Sequence, residues 1–144
     1  LVIGDIHGCY DEFQALLDKA GLTEGDVLVS VGDCVDRGPD TPAVLAFFQK
    51  TPNAFLLMGN HERKHVRAGR HEIKLAQSQK ISRIQFGEIY PDALAFMSTL
   101  PLYLDLPDAL VVHGYFEPGL PPASTAFNGI VWNNGWRQTP TDSI

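Results

Sequence analysis

Asp26-Val27-Leu28-Val29-Ser30-Val31, followed at once by Gly32-Asp33-Cys34-Val35-Asp36-Arg37-Gly38, is the stretch that decides the fold. The first six residues are rich in β-branched side chains and read as a buried strand that Gly32 ends. The turn that follows brings two carboxylates and a guanidinium close together. The same grammar recurs on both sides. Upstream, Leu1-Val2-Ile3 runs into Gly4-Asp5-Ile6-His7-Gly8; downstream, Ala54 to Met58 runs into Gly59-Asn60-His61-Glu62. Between the strands lie helical spacings. Phe13, Leu16 and Leu17 fall within Tyr10 to Ala20, which Gly21 stops, and Val44, Leu45, Phe47 and Phe48 fall within Thr41 to Lys50. Strand, helix, strand, helix, strand predicts an α/β fold with βαβ crossovers and a buried parallel sheet.

Ligands of a parallel sheet bind just beyond the carboxyl ends of its strands. The three loops should therefore meet at one rim, their glycines letting the backbone bend and approach a bound group. Leu102 to Leu106 and Ala109 to His113, flanking Pro107-Asp108, predict a hairpin whose second strand ends in His113-Gly114. The assembled donors are carboxylate, imidazole and amide oxygen, without a thiolate cluster, a set that suits Mn, Fe, Zn, Co or Mg. One carboxylate shared by two ions about 3.5–4 Å apart is the arrangement that clamps attacking and leaving oxygens in phosphoryl transfer. Taken singly, Asp36 and Arg37 would read as a loop ion pair and Asn60 as a turn residue. Together, each just after a glycine that closes an apolar strand, they read as one site.

The whole chain has 144 residues, 44% hydrophobic and 19% charged, the balance of one soluble globular domain over 1–144. A net charge of -6 disfavours nucleic acid and anionic membranes as partners. No apolar run approaches the roughly 20 residues of a membrane span, and nothing near Leu1 resembles a signal peptide. Cys9 and Cys34, the only cysteines, point to a reducing, cytoplasmic setting. They read as small apolar fillers or as two thiols able to meet on adjacent loops. Phe47, Phe48, Phe55 and Phe96 are core residues by spacing.

The motifs resemble those of the calcineurin-like metallophosphoesterases: Gly-Asp-x-His-Gly at Gly4, Gly-Asp-x-Val-Asp-Arg-Gly at Gly32, Gly-Asn-His-Glu at Gly59 and His-Gly at His113. The Val-Asp-Arg-Gly and His-Glu variants are most similar to the phosphoprotein phosphatase branch, which includes bacterial serine/threonine phosphatases and symmetrical diadenosine tetraphosphatases. The resemblance implies a four-layer αββα sandwich with two divalent ions at the sheet edge, manganese first, with iron, zinc, cobalt, nickel or magnesium as alternatives. It implies that Asp5 and His7 hold the first ion, Asn60 and His113 the second, and Asp33 bridges both. His61 would be the general acid, Asp36 would orient it, Arg37 would clamp phosphate oxygens, and a metal-bridging hydroxide would attack. The implied substrates are a phosphorylated protein or peptide or, alternatively, a nucleotide polyphosphate; a non-catalytic metal-binding module of the same fold is the third reading. Oligomeric state is left open.

The chain departs from that pattern in three places. It has no histidine after His113, where the family supplies one more ligand, so the expectation is either a truncated chain without its C-terminal strands or a short form with a weaker second site. Asn133 or Asn134 could offer an oxygen instead. Met58 stands where several relatives carry arginine, with Arg63 or Arg137 as candidate substitutes, and Tyr115 follows His113-Gly114 where a small residue is common. Between Glu62 and Arg83, seven cations face two anions, Glu62 and Glu72. This polar stretch reads as helical to about Ser82, with His65 and His71 as surface or packing residues. Pro91 to Leu100 reads as a shorter helix, and Gly129 to Trp132 as a strand.

Overall fold

The structure, a computed structural model, describes residues 1–116. In chain order its elements are β1 (Val2–Ile3), α1 (Tyr10–Ala20), β2 (Leu28–Ser30), α2 (Thr41–Lys50), β3 (Ala54–Leu56), α3 (Asn60–Gly69), α4 (Gln77–Phe86), a 3-10 turn at Gly87–Ile89, α5 (Tyr90–Met97), β4 (Tyr103–Leu106) and β5 (Ala109–Val112). Both early helices stop and start where their sequence signals lie. Gly21 takes the left-handed conformation (φ 62°) and its N–H closes on the Leu17 carbonyl. Asp40 caps α2 by accepting the Ala43 N–H at 3.0 Å, with proline in the first turn.

Strands β1, β2 and β3 form a parallel sheet in that order, with Ile3 beside Ser30 and Ser30 beside Leu56. Side chains alternate across the sheet, and that alternation sorts two cores. Ile3, Leu28 and Leu56 face the helices and pack with Phe13, Val44, Leu45, Phe48, Val66 and Met97. Val29 turns the other way and packs with Leu57 and Val111 beneath the antiparallel β4–β5 hairpin. The parallel sheet is thus held between helices and a second sheet, and the loops after β1, β2 and β3 emerge at one end.

Two expectations change. The polar segment expected to run as one helix from Glu62 to Ser82 is two, because α3 starts at Asn60 and ends at Gly69. His71 then adopts φ 61°, and the Arg70 and His71 N–H groups close back on Val66 and Ala68, which turns the chain before α4. Phe55 is not core. The register sets it beside Val29 on the hairpin-facing side of the sheet, yet it is 44% exposed, as Val2 is at 52%. The hairpin covers the central strand and leaves these flanking positions open. Phe48 is buried, and Phe47 and Phe96 pack against the core. The strand expected at Gly129 to Trp132 lies outside the described residues. Among those residues no helix is long and apolar enough to cross a membrane.

Candidate functional site

The rim is built by backbone laced to backbone. Ile6 and His7 N–H groups donate to the Asp33 carbonyl at 3.2 and 2.9 Å, Gly8 N–H to the Cys34 carbonyl at 2.8 Å, and Gly38 N–H to the His7 carbonyl at 2.7 Å. Such packing leaves no room for side chains at four of the glycines. A Cβ on Gly38 would collide with the His7 carbonyl, one on Gly59 with Asp33, one on Gly32 with the Gly59 backbone and one on Gly8 with the Thr41 hydroxyl. Gly4, by contrast, has nothing within 4 Å and no positive φ, so close approach does not explain it. The strain falls on the residues between. His7, Asp33, Asp36 and Arg37 all hold positive φ (49°, 53°, 72° and 70°), a conformation that costs a non-glycine residue about 1–3 kcal/mol.

Glu62 holds the third loop to the second. Its side chain is fully buried and accepts four backbone N–H groups: Asp33 (2.9 Å) and Gly59 (3.0 Å) at Oε2, Cys34 (2.8 Å) and Val35 (3.1 Å) at Oε1. Burial, with the Asp33 charge beside it, pushes its pKa up to about 7 against the pull of those donors. The residue counted in the sequence among the charges of the polar stretch is therefore a buried clasp.

Within this frame the expected side chains converge. Asp5 lies 3.8 Å from His7 Nε2, Asp33 Oδ2 lies 3.6 Å from His113 Nε2 and 4.0 Å from His61 Nε2, and Asn60 Oδ1 meets His113 Nε2 at 3.1 Å. His7 and His113 each turn Nδ1 to a backbone carbonyl, Val35 at 2.9 Å and Val31 at 3.1 Å. Both imidazoles are thereby oriented with Nε2 toward the rim. By mutual distance of donor atoms, within 4.8 Å, the side chains form two groups that share Asp33: His7, Asp33, His61 and Asp5, Asp33, His113. Asp5 also lies beside His7, as expected from the sequence, so the two groups adjoin at Asp33 and Asp5.

His61 is held differently. Its Nδ1 meets Asp36 Oδ2 at 2.6 Å and its Nε2 meets Arg37 Nη2 at 3.3 Å. Asp36 has no exposure and takes further bonds from Gln79 Nε2 (2.5 Å) and His65 Nε2 (2.8 Å), while His65 Nδ1 meets the Tyr90 hydroxyl at 2.9 Å. Burial alone would raise the Asp36 pKa. The bonds from His61 and His65, with the His65 charge, outweigh it and hold the carboxyl well below the usual range. Burial raises Tyr90, so its hydroxyl keeps its proton. His65, Gln79 and Tyr90 were not singled out from the sequence as site residues. One signal was there: His61 and His65 are four residues apart and share a helix face.

Cys34 is buried against the Ser30 hydroxyl at 3.1 Å, and burial pushes its thiol pKa well up. It is a filler, and Cys9 points its thiol at the His7 carbonyl. His71 is exposed. Asn133, Asn134 and Arg137 lie outside the described residues.

A family model described as calcineurin-like phosphoesterase matches residues 1–138. A symmetrical bis(5'-nucleosyl)-tetraphosphatase from Shewanella baltica is 33% identical over 83% of this chain and 44% of its own length. An asymmetrical bis(5'-nucleosyl)-tetraphosphatase from Halalkalibacterium halodurans is 34% identical over 77% of this chain and 54% of its own. The chain thus spans about half the length of these curated relatives. Among solved structures, one provisionally assigned as a diadenosine tetraphosphatase superposes with a TM-score of 0.75 at 26% identity, covering 90% of this chain and 56% of that one. A protein serine/threonine phosphatase from Saccharomyces cerevisiae shares the fold, with a TM-score of 0.63 at 23% identity over 99% of this chain and 45% of that one.

Proposed function

The chain belongs to the calcineurin-like phosphoesterase family, and on that footing we propose that it is a metal-dependent phosphoester hydrolase of the phosphoprotein phosphatase type. The observation that carries the proposal is the convergence of four side chains, His7, His61, Asp5 and His113, on Asp33 in two groups, on a backbone that holds His7 and Asp33 in left-handed strain. The donor set fits divalent ions: both outer histidines have Nδ1 turned to a backbone carbonyl, the second-sphere contact that orients a metal-binding imidazole. Asp5, His7, Asp33, Asn60 and His113 would hold two ions, with Asp33 common to both. Bound there, divalent ions supply positive charge to phosphoryl oxygens and acidify water near neutral pH.

The remaining work falls to the chain's own groups. Arg37, exposed at the mouth, offers a guanidinium fork to phosphate oxygens. His61 Nε2 lies 3.3 Å from Arg37 Nη2 and would give a poor leaving alkoxide the proton it needs. Asp36 fixes the His61 ring through Nδ1, and His65, Gln79 and Tyr90 fix Asp36. Nucleotide polyphosphates are the second reading, favoured by the names of the curated relatives. The test is turnover, with manganese added, of a phosphoserine peptide, a phosphotyrosine peptide and diadenosine tetraphosphate side by side. Phosphopeptide turnover that chelator abolishes supports the first reading; turnover of the dinucleotide alone supports the second.

A further inference from the structure

Asn60 begins α3 at the rim, and Arg63, Arg67 and Arg70 follow it three or four residues apart, on one stripe of the helix. That stripe borders a cavity of about 540 Å³ lined by the three arginines, Glu72 and an apolar floor that includes Met58 and Leu100. Among the described lining residues Glu72 is the one carboxylate against three arginines, and Arg67 Nε meets it at 2.9 Å. Burial, then the Arg67 charge, lowers the Arg63 pKa, with Glu72 acting the other way. In a chain of net charge -6, this is a local field of the opposite sign, one turn of helix from the candidate metal ligands.

We infer that this cleft is a specificity subsite for acidic residues flanking the phosphorylated residue of a peptide substrate. The inference rests on the phosphoester-hydrolase reading above. Dimensions favour a peptide. The rise from Asn60 to Arg63 is about 4.5 Å and from Arg63 to Arg70 about 10 Å, and an extended peptide advances about 3.3 Å per residue. Carboxylates roughly two to five residues from the phosphorylated one would fall along the stripe, with an intervening apolar side chain over Met58 and Leu100. The charges of a nucleotide polyphosphate are contiguous with its scissile phosphorus and belong nearer Arg37.

Two measurements decide it, made on the full chain. In the first, a fluorescent, unphosphorylated glutamate-rich peptide and a neutral peptide of equal length are titrated at low and high salt. In the second, kcat/KM is compared for a phosphoserine peptide with glutamates on both sides and one with neutral flanks, in the wild type, in Arg70→Glu and in Arg67→Gln/Arg70→Glu. Two exposed charge pairs of about 0.2–1 kcal/mol each correspond to an acidic-peptide preference of about two- to thirtyfold in the wild type. The preference should be carried by KM, weakened by salt and brought to about one or below in the double variant. Equal use of both peptides by the wild type overturns the inference, as does a preference that survives the double variant. So does a variant that loses diadenosine tetraphosphate turnover while its peptide ratio is unchanged. If no phosphopeptide is turned over, the functional reading fails, while the unphosphorylated peptide still decides the cleft by binding the wild type and not the double variant.

Discussion

The loops after the three parallel strands and the helices that follow them organise polar groups in opposite ways. In the loops, backbone holds side chains: His7 and His113 rest on the Val35 and Val31 carbonyls, and Glu62 gathers four N–H groups into one carboxylate. In the helices, side chains hold one another: His61 and His65 of α3 and Gln79 of α4 converge on Asp36, with Tyr90 of α5 behind them. In the proposed function the first arrangement turns Nε2 atoms toward the rim as candidate ligands. The second fixes one ring, His61, as the candidate proton donor. On that proposal the partner of Nδ1 separates the two uses of histidine.

The largest expected effect breaks the loop half. Asp33→Asn should cut turnover by more than about a hundredfold, beyond what loss of a metal-orienting partner costs, because Asp33 is common to both donor groups. Steady-state kinetics with saturating manganese measures this; a loss under tenfold would remove Asp33 from the centre. Glu62→Ala should leave four buried N–H groups without their carboxylate and lower stability by several kcal/mol, at about 1–3 kcal/mol for each buried donor left unpaired, read by urea denaturation. A change under 1 kcal/mol would mean that water replaces the clasp.

Turning to the helical half, His61→Asn should slow an alkyl phosphate by about 10²–10⁴-fold and nitrophenyl phosphate far less, since nitrophenolate leaves without a proton. Equal losses on both substrates would end its assignment as the acid. His65→Asn should give the same leaving-group signature at about 10–100-fold, the scale of an orienting partner. Tyr90→Phe should give it more weakly, by less than about tenfold. A merely structural role for either would depress both substrates alike, so the ratio is the discriminating quantity.

How far each half was legible follows from the same contrast. Asp5, His7, Asp33, Asn60 and His113 each stand just after an apolar strand, so the strand pattern alone delivers them to one rim. The helical network has no such marker. Glu62, His65 and Gln79 sit in a stretch of strongly polar composition that reads as solvated, yet all three are buried, because each bonds to the second loop: Glu62 to its N–H groups, His65 and Gln79 to the Asp36 carboxylate. Hydropathy averages cannot see polarity that is paired inside. The break at Gly69 and His71 escaped for a related reason, since it depends on one left-handed residue rather than on any interruption of apolar spacing. Phe55 was misplaced because spacing gives the face of a strand and not what covers it.

The proposed function requires that the donor groups sharing Asp33 hold two ions. Isothermal titration of manganese into the chelator-stripped chain, with turnover of a phosphate ester followed on the same samples, tests this directly. The expected result is two ions per chain with separate affinities, turnover rising mainly as the weaker site fills, and His113→Ala removing the weaker event while the tighter one persists. Full turnover in the stripped chain, or saturation of turnover at one equivalent, would contradict it.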